Sequence, residues 1–147
     1  MPTYIVFAPA GQFSSEQKKT IAEKVTRTHS EVTGAPSFFA QVMFVDIADG
    51  NWFIGGAPLE SDQVYIHGHI RGGRSAEMKR DLVIGLRDAL AEGAEVSSSR
   101  VWSYIVELPP AHMVEYGHVL PEPGKEAAWM EGLPPEDRAL MKSVGSG

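Results

Sequence analysis

The chain has 147 residues, 43% of them hydrophobic, and a formal net charge of −6, which suits one domain with a sizeable core. That charge argues against a general nucleic-acid or membrane surface, although the 13 basic residues can still gather into a pocket for a small anion. No cysteine is present, which removes disulfides, thiol nucleophiles and thiolate metal sites; no apolar run approaches the roughly 18 residues of a membrane span, and no basic-then-apolar leader opens the chain, so a cytoplasmic protein is expected.

Pro2 precedes Thr3-Tyr4-Ile5-Val6-Phe7, a run that reads as a buried strand over residues 3–8. Excision of Met1, which a small second residue permits, would leave a secondary amine fixed to the head of that strand. An α-amine titrates near about 7.7–8.0, so it serves as base when neutral and acid when protonated, and the ring holds its φ. Read alone, Pro2 is more often a plain strand-start residue. Gly11 marks the turn that follows, and Ser14-Ser15-Glu16-Gln17 is a capping box that opens a helix. Ile21, Ala22, Val25 and Val32 recur at helical spacing until Gly34, a natural C′ residue. A second strand is predicted over 37–45, then a Gly-rich hairpin-like stretch with Asp49-Gly50 and Gly55-Gly56. Residues 63–70 read as a strand and Ser75 caps a second helix with Met78, Leu82, Val83 and Leu86 inward. Residues 100–108 form the fourth strand.

A shift of 61 residues, the separation of Ser14 and Ser75, places Tyr4-Ile5 on Tyr65-Ile66 and Met43–Asp46 on Tyr104–Glu107. The chain is therefore read as one domain over 1–147: a first β-α-β unit over 2–48, a second over 62–108, and a packing segment over 109–147. Each unit pairs its strands in parallel through a right-handed crossover. The expected fold is α/β (α+β), a four-stranded, mainly parallel sheet with two helices on one face. The other face, partly apolar, should be covered by a partner subunit. Beyond Leu108, Pro109-Pro110 ends the strand, 111–116 form a short segment, 120–124 are irregular, and 134–142 form a terminal helix before a frayed 143–147.

Arg71-Gly72-Gly73-Arg74-Ser75 leaves a strand and enters a helix, setting unpaired N–H groups beside two guanidinium forks that suit a carboxylate or phosphate. It lacks the spacing and lysine of a phosphate loop, and a solvated turn remains the plain alternative. His29 sits on the apolar stripe of the first helix, where a structural histidine is the commoner case. His67 and His69 share a strand face without a third ligand at metal spacing. Tyr104 shares a face with Trp102 and Val106, which by itself says core. Glu115 is an acid between apolar residues, and a solvated carboxylate would explain it as well.

An N-terminal proline that opens a duplicated strand–helix–strand chain resembles the tautomerase superfamily. The ordered set of Pro2, His29, the Arg71-Gly-Gly-Arg74-Ser turn, Tyr104 and Met-Val-Glu115-Tyr-Gly resembles its cis-3-chloroacrylic acid dehalogenase group, over nearly the whole chain as far as Leu120-Pro121-Glu122-Pro123-Gly124. The chain departs from that pattern in the loop 34–39, at Ile70 and in the tail, places suited to line the pocket. The resemblance implies a homotrimer whose sites are closed partly by a neighbour; no cofactor, no metal, and no nucleic-acid or membrane partner is expected. Arg71 and Arg74, helped by His29, would bind the carboxylate of a small unsaturated or α-keto acid. Glu115, with Tyr104 beside it, would activate water for attack at C3, and Pro2 would deliver a proton to C2. The same pocket with neutral Pro2 would serve a keto–enol tautomerase acting on acids such as phenylpyruvate. A non-catalytic, cytokine-like binding module is the reading from another class.

Overall fold

A computed structural model describes residues 1–145. β1 (Thr3–Pro9) leads through a turn into α1 (Ser15–Thr33), where Ser14 accepts from the Gln17 backbone and the Gln17 side chain accepts from the Ser14 N–H. The helix ends at Gly34 in a left-handed conformation. The segment predicted as strand from residue 37 starts instead as a 3-10 turn over Ser37–Phe39, and β2 runs over Gln41–Ile47. Pro36 fixes the entry, and Phe39 turns inward to be buried, so the first three residues leave the extended path that the ladder needs. A small hairpin follows, β3 (Phe53–Ile54) and β4 (Ala57–Pro58) around Gly55-Gly56. β5 (Val64–Arg71), α2 (Ala76–Ala94) and β6 (Val101–Leu108) repeat the first unit.

The sheet order is β2-β1-β5-β6. Each unit's own pair is parallel, and β1 and β5 meet antiparallel at the centre, with Tyr4 opposite Gly68. Both helices lie on the face presented by Tyr4, Val6, Val64, Ile66 and Ile70, and together they form the main core with Ile21, Val25, Leu82, Leu86 and Leu90. Ile70 is fully buried in this core, so its departure from the family pattern is one of packing and not of pocket lining.

The repeat is less regular in the strands than a 61-residue shift suggests. It carries α1 onto α2 and the outward residues of β2 onto those of β6. In the first strands it slips: Tyr4 is buried beneath the helices, whereas Tyr65 faces the other way. A strand's side chains alternate, so a one-residue offset exchanges faces.

The opposite face of the sheet carries Met43, Val45, Trp102, Tyr104 and Val106, each between 40% and 53% exposed. Tyr104 is thus not a core residue of the protomer. It joins a surface aromatic row in which Tyr65 lies 5.2 Å from it, Trp102 6.4 Å, and Phe7 stacks on Tyr65 at 5.5 Å.

The tail folds back over the other end of the sheet. A 3-10 turn (Pro110–His112) leads to the hairpin of β7 (Val114–Glu115) and β8 (His118–Val119), then α3 (Glu126–Gly132) and α4 (Pro135–Ser143). α3 escapes the sequence pattern because seven residues are too few to show a period. The tail packs on its own subunit: Met113 and Leu120 are buried with Met1 and Phe39, against Trp129 and Met130. His118 Nε2 meets Asp137 Oδ2 at 2.7 Å, and Trp129 Nε1 donates to the Val119 carbonyl at 2.9 Å. Of the stretch expected to fray, Ser143 closes α4, and residues 146 and 147 lie outside the described residues. No helix among the described residues is long and apolar enough to cross a membrane.

Candidate active site

The start of β1 is drawn into the second cluster. The Met1 side chain is 2% exposed. Its amine donates to the Phe39 carbonyl at 2.7 Å and contacts Glu115 Oε2 at 2.7 Å. Pro2, one residue further along, is buried and its carbonyl accepts from the Gln41 N–H. The Met1 amine is lowered to about 5, first by burial and to a smaller extent by Arg71 and Arg74, against the opposing pull of Glu115. At neutral pH that amine is uncharged, so its contact with Glu115 is a hydrogen bond from a neutral amine rather than a full ion pair.

Glu115 reaches this point because the β7–β8 turn is tight. Tyr116 and Gly117 adopt positive φ of 52° and 83°, and the Tyr116 hydroxyl donates to the Phe38 carbonyl, which ties the hairpin to the loop after α1. Two cavities lie near the chain start, and Glu115 lines the first of them but not the second, which Met1 lines. One of about 800 Å³ is lined by Glu115 with Thr3, Gln41 and His69 and opens beside the uncovered sheet face. The other, about 410 Å³, is lined by Met1, Arg71, Arg74, Glu126, Ala35 and Trp129. The larger is the less suited to an acid, since neither guanidinium lines it; the smaller holds both.

The loop 34–39 and the tail do line this smaller cavity, through Gly34, Ala35, Pro36 and Phe39 on one side and Ala127, Trp129 and Met130 on the other.

Arg71 ends β5 and is 6% exposed. It donates to the Pro121 carbonyl at 2.8 Å and pairs with Glu126. Arg74 makes only a long contact to the Thr33 carbonyl, 3.4 Å, and another to the Met78 sulfur. Its Nε is buried without a partner, and burial together with Arg71 lowers its pKa. The turn between them corrects one expectation. Its N–H groups are not free for a ligand: Gly72 donates to the Leu108 carbonyl at 2.8 Å, and Gly73 to Glu107 Oε2 at 3.1 Å. Glu107, also paired with Lys79, is thereby held below the usual carboxylate range, the lysine being the main cause. In this turn it is the guanidinium groups, and not the two glycine N–H groups, that are left for an anion. Gly73 has φ 104°, and a Cβ there would lie 2.3 Å from Pro123 Cγ, so the glycine lets the tail close over the turn.

His29 is 1% exposed, on the α1 stripe beside Ile21 and Val25. Its Nδ1 lies 2.7 Å from the Tyr4 hydroxyl, and Nε2 is buried without a partner. Burial, then the charge of Arg74, lowers its pKa to about 3, so the ring is neutral. Tyr4 is also buried and its phenol is pushed up, hence always protonated. A phenol donating to Nδ1 fixes the tautomer that carries the proton on Nε2. A neutral donor is thereby aimed by a tyrosine the sequence analysis treated only as strand. The signal was Gly68: a Cβ there would lie 2.4 Å from the Tyr4 ring, so the glycine makes room for it.

Tyr104 is not brought to Glu115 within the protomer; it stands on the open face. His67 and His69 lie on that face too, ring centroids 4.6 Å apart, and no cluster of three metal-ligating side chains occurs among the described residues.

A family model described as "Tautomerase_3: Putative oxalocrotonate tautomerase enzyme" matches residues 1–132. The chain belongs to the tautomerase superfamily. The structure of N1, a member of the cis-3-chloroacrylic acid dehalogenase family, is 34% identical, with 97% of this chain and 99% of that chain covered and a TM-score of 0.93. A 2-hydroxymuconate tautomerase of Comamonas testosteroni is 43% identical over 56 residues, 38% of this chain and 87% of that protein. A fused 4-OT, described as an asymmetric trimer, shares the fold at 20% identity, covering 80% of this chain and 94% of its own, with a TM-score of 0.74. This tautomerase-superfamily chain is accordingly an enzyme.

Proposed function

We propose that the mature enzyme begins at Pro2 and adds water to short unsaturated carboxylic acids, converting 3-halogenated substrates such as cis-3-chloroacrylate to malonate semialdehyde. The observation that carries this reading is the position of the chain start, in contact with Glu115 and within the field of Arg71 and Arg74. The substrate carboxylate sits against the guanidinium groups with the His29 Nε2–H as a third donor. Glu115 removes a proton from water as the oxygen attacks C3, and the Pro2 ammonium protonates C2. The adduct then expels halide from C3 while its hydroxyl loses a proton, leaving aldehyde, chloride and a proton. With Met1 removed, Pro2 carries the chain's amine toward Glu115, whose negative charge favours the ammonium and hence the acid form.

The homotrimer supplies the missing phenol. Covering the open face of the sheet with a neighbour buries Met43, Trp102 and Val106 and carries Tyr104 toward a site other than its own; the fused 4-OT relative, a trimer, supports that assembly. The second reading, tautomerisation of α-keto acids by neutral Pro2, draws on the Arg71 and Arg74 charges, which oppose Glu115 and favour an uncharged amine at the chain start.

The test is Pro2→Ala against wild type with cis-3-chloroacrylate, propiolate and phenylpyruvate, after intact mass has established that Met1 is absent. General acid–base groups contribute about 10²–10⁴-fold, so a loss of that size in kcat with little change in KM is expected. Undiminished turnover by the variant on every substrate would contradict the proposal.

A further inference from the structure

Arg74 is poorly held by its own side chain. Its contacts to the Thr33 carbonyl and the Met78 sulfur are long, and its Nε is buried without a partner. Its place must therefore be set by its backbone. Gly73, just before it, has φ 104°, a conformation glycine alone adopts readily, and so flexible a residue needs outside support to keep one geometry. Glu107, near the end of β6, supplies it. Oε2 accepts from the Gly73 N–H at 3.1 Å, and Oε1 accepts from Lys79 Nζ in the first turns of α2. The Lys79 ammonium is the main cause of the carboxylate's low pKa, with the Gly73 and Arg74 N–H groups adding to it.

The first unit shows that this clamp is not a by-product of the fold. The same shift of 61 residues places Lys18 on Lys79 and Asp46 on Glu107. Lys18 Nζ stands 3.8 Å from a half-exposed Asp46 and leans over the Phe44 ring. There the positions of Arg71 and Arg74 hold Ala10 and Phe13, and the acid is one methylene shorter. The tight pair accompanies the arginines.

Resting on the functional reading above, we propose that Glu107 is a positioning residue, fixing the backbone of the turn so that Arg74 meets the same substrate carboxylate as Arg71. Arg71 has its own anchors in Pro121 and Glu126, so Glu107 acts chiefly on Arg74. A bare carboxylate this near an anion receptor would repel the substrate, and Lys79 cancels that charge.

Initial rates of the processed enzyme with propiolate test the assignment. Glu107→Ala should lower kcat/KM about tenfold or more, the scale of a misplaced binding group, mostly through KM. Glu107→Gln keeps an acceptor for the Gly73 N–H and should recover most of the loss. In an Arg74→Ala background, Glu107→Ala should cost about twofold or less, because residues that act through one another are not additive. Equal losses in the two backgrounds, which a general loss of structure would give, overturn the proposal, as does a Glu107→Ala enzyme with wild-type KM. Should Glu107→Ala fold poorly, Lys79→Met decides. KM should rise at low ionic strength and return toward wild type at high salt, where the uncompensated Glu107 charge is screened; adding Glu107→Gln should restore the wild-type salt dependence. A KM that Lys79→Met leaves unaltered at every salt concentration overturns the inference. An Arg74→Ala enzyme with unchanged KM counts instead against the functional reading itself, so the two failures are distinguishable.

Discussion

The two β-α-β units have the same architecture and divide the chemistry between them. The first contributes proton-handling groups: the chain start at β1, Tyr4, and His29 on α1. The second contributes fixed positive charge, with Arg71 at the end of β5 and Arg74 before α2. At the position where α1 carries His29, α2 carries Leu90, fully buried. Where the first cap is reciprocal through Gln17, the second has Met78 and only the Ser75 half of the box. Duplication therefore supplied two equivalent packing frames, and small departures from equivalence within them built an asymmetric site.

The most severe way to break this division is at Glu115, which belongs to neither unit but is brought by the tail to the first unit's amine. Glu115→Gln should lower hydration of propiolate by about 10²-fold, the scale of a lost general base, while phenylpyruvate tautomerisation changes about threefold or less. Equal losses in the two assays would remove the role assigned to the carboxylate.

Making the first unit resemble the second sharpens the contrast. His29→Leu should raise KM for an acid substrate about tenfold. It should also destabilise the fold by about 1–3 kcal/mol, because the buried Tyr4 hydroxyl loses its partner. Adding Tyr4→Phe should recover most of that stability and none of the affinity, as measured by denaturant unfolding and initial rates. The pH dependence has a definite sign. The His29 folded-state pKa of about 3 lies below its unfolded value of about 6.5, so the unfolded chain takes up a proton first on acidification. Its contribution is complete above about pH 6.5 and is lost as pH falls toward 3. The double variant should accordingly melt with a shallower pH dependence than wild type between pH 6.5 and 4.

The smallest expected effect concerns the caps. Gln17→Met, which gives the first helix the second helix's arrangement, should cost about 0.5–1 kcal/mol with kcat unchanged.

Much of this was legible in the residues. The helices announced themselves through Ser14, Gln17 and Ser75, and the ordered set from Pro2 to Glu115 identified the superfamily. The face of Tyr4 was not legible from a 61-residue repeat, since a one-residue offset in a strand leaves the residue types aligned and reverses their direction. Tyr104 read as core because its neighbours are apolar, yet an isolated protomer leaves that face open. Glu107 and Glu126 were missed for a common reason: each acts through a partner distant in sequence, Gly73 or Arg71, and no local spacing records such a pairing. The loop 34–39 and the tail, expected from their departures to suit the lining of the pocket, form opposite walls of the arginine cavity.

The most direct test of the account is an ¹⁵N NMR titration of the Pro2 nitrogen in processed wild type and in Glu115→Gln. The account predicts that removing the carboxylate's charge lowers the nitrogen's pKa by about one unit or more. Identical titrations in the two proteins, at the value of an ordinary solvated chain terminus, would contradict it.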